Sequence, residues 1–187
     1  MNLQSKKVLF ILPHHDFRDK EYTWIVERLN EAGFAHEVAS SHLSEAQGRF
    51  GTIVVPDVAI SFVSSADYDA FIFIGEEAAS EYFASPDITR LVVNAITTHK
   101  IVAAIGHAVP ILGYSGHLSG KKVTGPVEIK TEIEDSGAFF TGRLVEQDGD
   151  VITATGPYAT RELAESIVKA LEWSSEGNQR SGRTYLR

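Results

Sequence analysis

The chain has no cysteine, one methionine, two tryptophans and six prolines among its 187 residues. Without cysteine there is no disulfide, no thiolate zinc site and no cysteine nucleophile. No apolar run approaches the roughly 18 residues a transmembrane helix needs. The polar start, Met1 to Lys7, lacks the charged, apolar and small-residue regions of a secretory leader, so a cytoplasmic protein is expected. Basic residues are also scarce: 17 Lys and Arg face 25 Asp and Glu, a net charge of −8. Arg180, Arg183 and Arg187 against Glu176 give the end segment +2, which leaves residues 1–173 at −10. Nucleic-acid affinity rests largely on neutralising phosphates, so an acidic body excludes that class of partner. At 43% hydrophobic and 22% charged, the composition is that of a globular chain. The expectation is one domain over 1–173 and a flexible tail over 174–187, rich in Ser, Gly, Asn, Gln and Arg.

Three segments are apolar without alternation: Lys7–Pro13 (KVLFILP), Ala70–Ile74 (AFIFI) and Ile101–Ile105 (IVAAI). Runs of this kind read as strands buried on both faces. Between them lie helical patterns. Tyr22, Ile25, Val26 and Leu29 fall at i, i+3, i+4 and i+7 within Glu21–Ala32, and Gly33 marks a stop. Pro86–Lys100 places Ile88, Leu91, Val92, Ala95 and Ile96 on one face, and Thr160–Trp173 does the same with Leu163, Ile167, Val168 and Leu171. Ala35–Ala39 and Val151–Ala154 read as short strands, and Gly106–Tyr114 as a helix with Pro110 in its first turn. Gly51–Val63 reads as a small hairpin or excursion around Pro56-Asp57; Lys121–Thr131 and Gly137–Val145 read as polar β segments. Alternating strands and helices predict an α/β three-layer sandwich: a mostly parallel sheet, flavodoxin-like or Rossmann-like, with helices on both faces and a small β excursion.

Such sheets bind ligands beyond the carboxyl ends of their strands. After the first strand comes HHDFRDKEY, with His14, His15, Asp16, Arg18, Asp19 and Glu21; after the second, Gly75-Glu76-Glu77; after the third, Gly106-His107-Ala108; after the last, Thr155-Gly156-Pro157-Tyr158. Carboxylates and histidines converging on one rim suit acid–base or ligand-binding work. The passage from IVAAI into GHAVPIL is a strand turning abruptly into a helix, the setting in which nucleophile-elbow folds expose their nucleophile. Glycine accommodates that turn without strain. It brings no side chain to attack anything.

Three motifs resemble the ThiJ/PfpI superfamily, which includes the PfpI intracellular proteases and shares the class I glutamine-amidotransferase-like fold. FRDKEY (Phe17–Tyr22) is similar to the family's acidic motif after the first strand. AAIGHAVPIL (Ala103–Leu112) is similar to its elbow, usually A-I-C-H-G-P, and DGDVITATGPYAT (Asp148–Thr160) to its closing D-G-x-x-I-T-x-x-G-P. Order and spacing match over about residues 7–172. The resemblance implies that Glu21 matches the buried glutamate beside the family's cysteine, that Gly106 stands in place of that cysteine, and that His107 follows it. Asp16, Arg18, Gly75, Glu76 and Ala108 are the implied ligand-binding positions. Glu76 replaces the second glycine of the family's G-G turn, and Ala108-Val109 replaces Gly-Pro. The departures gather at the active-site positions while the scaffold motifs remain.

The family's hydrolase, deglycase and glyoxalase chemistries need an activated thiolate. The expectation is therefore a family member silent in thiol chemistry, binding a small ligand or a partner at the retained rim, without cofactor or metal. Alternatives stay open. Cysteine chemistry would return if Gly106 were an engineered replacement of cysteine. A water- or metal-dependent enzyme could draw on His14, His15, Asp16, Glu21, Glu76, Glu77 and His107, whose imidazoles and carboxylates suit zinc, manganese or iron(II). A holdase-type stress protein would need an exposed apolar patch. The resemblance also implies a homodimer, with Trp24 on the first helix a candidate interface residue.

Overall fold

A computed structural model describes residues 6–181 of the chain. Strand β1 (Lys7–Ile11) leads through β2 (His15–Phe17) into helix α1 (Asp19–Glu31) and returns in β3 (Ala35–Ser40). An excursion carries β4 (Ala46–Gly48), β5 (Ile53–Val54) and β6 (Val58–Ala59). Then follow β7 (Ala70–Phe73), α2 (Pro86–Thr97), β8 (Ile101–Ile105) and α3 (Val109–Tyr114). After β9 (Lys122–Val123), α4 (Lys130–Asp135) and β10 (Phe139–Phe140), the chain closes with β11 (Val145–Asp148), β12 (Val151–Ala154) and α5 (Thr160–Ser181).

The main sheet has seven strands in the order β11-β12-β8-β7-β1-β3-β6, parallel except for the edge strand β11. The apolar runs form its centre because they can bury both faces. Leu9, Phe71, Phe73, Val102 and Ala104 pack on one side with Ile88, Leu91 and Val92 of α2 and Ile111 and Leu112 of α3. Val8, Phe10, Ile72, Ala103 and Ile105 pack on the other with Ile25 and Leu29 of α1 and Leu163, Ile167 and Val168 of α5. Each Val, Leu, Ile or Phe among them contributes roughly 1.5–3 kcal/mol when fully buried. Local signals set the helix limits: Ser85 caps α2 by accepting from the Ile88 amide, with Pro86 in its first turn, and Gly33 takes φ +79° after α1.

The mostly parallel three-layer architecture agrees with the sequence pattern, and three local readings need correction. Of the two readings of Gly51–Val63 the excursion holds and the hairpin does not: Pro56-Asp57 is not the turn of a hairpin. β5 pairs antiparallel with β4, whereas β6 joins the main sheet beside β3. Asp57 makes the switch by exchanging two 2.8 Å bonds with the Val38 backbone, one through its amide and one through its carboxylate. Within Lys121–Thr131 only Lys122–Val123 is strand, and residues 127–135 are helical, because Ile129 and Ile133, one turn apart, are both buried. The final helix passes Trp173 and runs to Ser181, so the expected tail begins as helix, and 182–187 lie outside the described residues. Among the described residues no helix is long and apolar enough to cross a membrane.

Candidate functional site

The chain passes from β1 to β3 on one side and from β1 through β7 and β8 to β12 on the other. The loops after β1 and β7 therefore diverge at their carboxyl ends, the place at which such sheets bind ligands. Glu21, Gly75, Glu76, Gly106 and Ala108 meet there.

Gly106 follows β8 in a single 3-10 turn that leads into α3. Its φ is +61°, left-handed backbone that a side chain rarely adopts. A Cβ built on it would lie 3.1 Å from the Gly75 carbonyl oxygen and 3.8 Å from Glu21 Oε1. The elbow thus keeps its bend and nearly enough room for a side chain, while presenting only hydrogen. Gly75 is held by closer packing: a Cβ there would stand 2.3 Å from the Ala108 amide nitrogen. That approach leaves no room for a side chain at 75 and only a small one at 108.

Glu21 points into the core from the first turn of α1 and is 1% exposed. Burial pushes its carboxyl up to about 8, against the lowering pull of the Arg18 charge and the Gly75 N–H that donates to it. It is therefore mostly protonated at neutral pH. Oε2 is buried without a partner.

Glu76, 7% exposed, pairs with Arg18 and, at 3.4 Å, with Arg49. The position after Gly75 thus carries a buried carboxylate held between two guanidinium groups. Arg49 comes from the β4–β5 turn, where its amide donates to the Phe17 carbonyl at 3.0 Å and sets it beside Arg18. Arg49 was not among the sequence-derived candidates. Its only signal is the pairing of β2 with β4, which no short-range pattern encodes.

The remaining candidates sit differently. Asp16 is exposed, with φ +57°. His107 is half-buried beside the elbow. His14 stacks edge-on with His15 and His42 at ring distances of 4.7 and 5.1 Å, and burial followed by those two neighbours holds its imidazole below the usual range. Among the described residues no group of three or more histidines and carboxylates is placed to hold a metal ion, so the seven-residue constellation drawn from the sequence does not assemble as one centre. Trp24 is half-buried under its own cations, with the Arg161 guanidinium 4.9 Å and the Lys20 ammonium 5.8 Å from its ring.

Known proteins resemble this chain in sequence and fold. An uncharacterized protein of Methanocaldococcus jannaschii is 31% identical over 94% of this chain and 87% of its own length. A deglycase of Thermococcus kodakarensis is 32% identical over 88% of this chain and 99% of its own. The crystal structure of a ThiJ/PfpI domain protein from Brachyspira murdochii superposes with a TM-score of 0.87 at 25% identity, covering 90% of this chain and 98% of that one. The model of the DJ-1/PfpI family matches residues 6–170, and with the parallel sheet, the elbow and the buried glutamate in place, the chain belongs to that family.

Proposed function

We propose that this chain is a DJ-1/PfpI protein silent in thiol chemistry, which binds a small ligand at the crevice between β1, β7 and β8. One observation carries the reading: the elbow at Gly106 keeps the φ of +61° and the nearby Glu21, yet the chain holds no sulfur nucleophile. A thiol is the group that hydrolase, deglycase and glyoxalase steps need at this position. Arg18, Glu76 and Arg49 replace it with a charged, hydrogen-bonding rim. A homodimer and a cytoplasmic location belong to the same reading, and sedimentation at the 20.5 kDa of one chain would exclude the dimer.

The test is a panel of methylglyoxal, glyoxal, a glycated peptide, chromogenic peptides and isonitriles, each run against a heat-killed control. The reading expects no turnover above that control. Turnover that Glu21→Gln abolishes would refute it.

A further inference from the structure

At the opposite end of the sheet from the elbow, where β1, β7 and β8 begin, lies a cavity of about 480 Å³. Lys6 lines it from the residue before β1 and Asp69 from the residue before β7. His99 and Lys100 line it from the link between α2 and β8, Asp150 from the β11–β12 turn and Trp173 from α5.

Lys6 is half-buried, and among the described residues no carboxylate lies within ion-pair distance of it. Its Nζ donates instead to the Leu171 carbonyl at 2.6 Å and to the Ser174 hydroxyl. An ammonium has three N–H groups to place, and a neutral amine has two and a lone pair. Two acceptors therefore suit the neutral amine, whose lone pair is left for whatever enters the cavity. The surroundings favour that form. Removal from water opposes the charge most, the Lys100 ammonium opposes it as well, and Asp69 pulls the other way; the balance holds the amine below the usual lysine range. Burial beside a second cation is a general route to a nucleophilic lysine.

The rest of the cavity narrows the electrophile. Asp69 is engaged by the Lys7 amide at 3.0 Å, and Asp150 by His99 Nδ1 at 3.1 Å. Lys100 has no ion pair among the described residues, so it can meet an incoming carboxylate. Trp173, 76% exposed, offers an apolar wall.

We propose that Lys6 is a nucleophilic amine that captures a small oxo acid as an imine, with the acid's carboxylate held by Lys100. The amine lone pair attacks the carbonyl carbon and a C–N bond forms. One nitrogen proton passes to the carbonyl oxygen, giving a carbinolamine. That oxygen leaves as water with the remaining nitrogen proton, and the C=N bond forms. Amine and carbonyl thus give imine and water, with no change of oxidation state. When protonated, the imine keeps one N–H for the Leu171 carbonyl, which the Ser174 hydroxyl also reaches at 3.0 Å. The site shares no residue with the elbow, so its test is independent of the silence proposed there.

The experiment treats the full chain at neutral pH with glyoxylate and cyanoborohydride, which reduces an imine to a stable secondary amine. Peptide mass mapping then compares the eight lysines. Lys6 should be labelled at least about fivefold faster than the exposed Lys122 and Lys169. Propionaldehyde, which carries no charge, should show a smaller preference for Lys6 over Lys122. Lys100→Gln, checked for folding by its thermal midpoint, should remove the difference between the two aldehydes. Unfolding in urea should bring Lys6 to the level of the other lysines. The inference is overturned if Lys6 in the folded chain is labelled no faster than Lys122 and Lys169, or if its preference survives in urea. It is equally overturned if propionaldehyde shows the same preference as glyoxylate in the wild type. Turnover in the aldehyde panel would refute silence at the elbow and leave labelling of Lys6 standing.

Discussion

Two carboxyl groups stand two residues apart in the first turn of α1, both buried, and their surroundings push them in opposite directions. Asp19 faces the β4–β5 turn. Burial alone would raise its carboxyl, but the Thr52 side chain and the amides of Phe50 and Thr52, at 2.9 and 2.7 Å, outweigh it and hold the group below the usual range. Glu21 faces the elbow, where burial wins and one oxygen goes unpaired. The contrast separates architecture from site. A carboxylate whose oxygens are satisfied fastens one segment to another, whereas a carboxyl kept neutral with one oxygen unpaired fastens nothing and is set apart by its protonation. A close-packed glycine backs each corner: Gly48 lies against the Asp19 carboxylate and Gly75 against the Ala108 backbone.

The steepest expected effect comes from titrating the Glu21 corner. Its folded carboxyl keeps a proton up to about pH 8, whereas the unfolded one releases it near the ordinary glutamate value of 4.5. The folded state therefore binds more protons between those values, and stability falls by several kcal/mol as pH rises through that window, then levels off. Denaturant midpoints across pH 5 to 9 should show the slope, and Glu21→Gln should remove it. An equal slope in the variant would assign it to another group. Next in size is Gly75→Ala, which forces a Cβ to 2.3 Å from the Ala108 nitrogen and should destabilise by about 3 kcal/mol or more. Gly48→Ala displaces a side chain rather than backbone and should cost less, about 1–3 kcal/mol through Asp19's lost bonds. Comparing the two thermal midpoints sharpens the contrast.

The smallest effect belongs to Asp19→Asn, which keeps one acceptor oxygen but loses the charge-assisted bonds to Phe50 and Thr52. A loss of about 1–2 kcal/mol at pH 7 is expected. Because the folded carboxyl is held low, Asp19's contribution is present above the ordinary aspartate value and disappears as pH falls through the folded one. Wild type and variant should therefore converge in acid, the opposite sign to Glu21.

How much of this was legible in the sequence follows from the range of each interaction. KVLFI, AFIF and IVAAI declare a double-faced sheet because nothing but burial on both sides explains an unbroken apolar run. Gly106 was legible too, through its place between a strand and a helix and through the motif around it. Glu21 was a candidate from its place after the first strand and was singled out by resemblance, but its neutral state depends on burial that only the packed sheet creates. Arg49 and the Asp19 corner were hidden because β4 pairs with β2 across a register that alternation in AQG does not reveal. The short α4 was missed for a similar reason: two isoleucines one turn apart are too few to establish a period.

The absent nucleophile is tested most directly by assaying wild type and Gly106→Cys together with methylglyoxal and iodoacetamide. The account predicts wild type at the level of the heat-killed control and inert to alkylation, and a folded variant whose single thiol, seated beside Glu21, is alkylated stoichiometrically. Wild-type turnover of methylglyoxal that Glu21→Gln abolishes would contradict it.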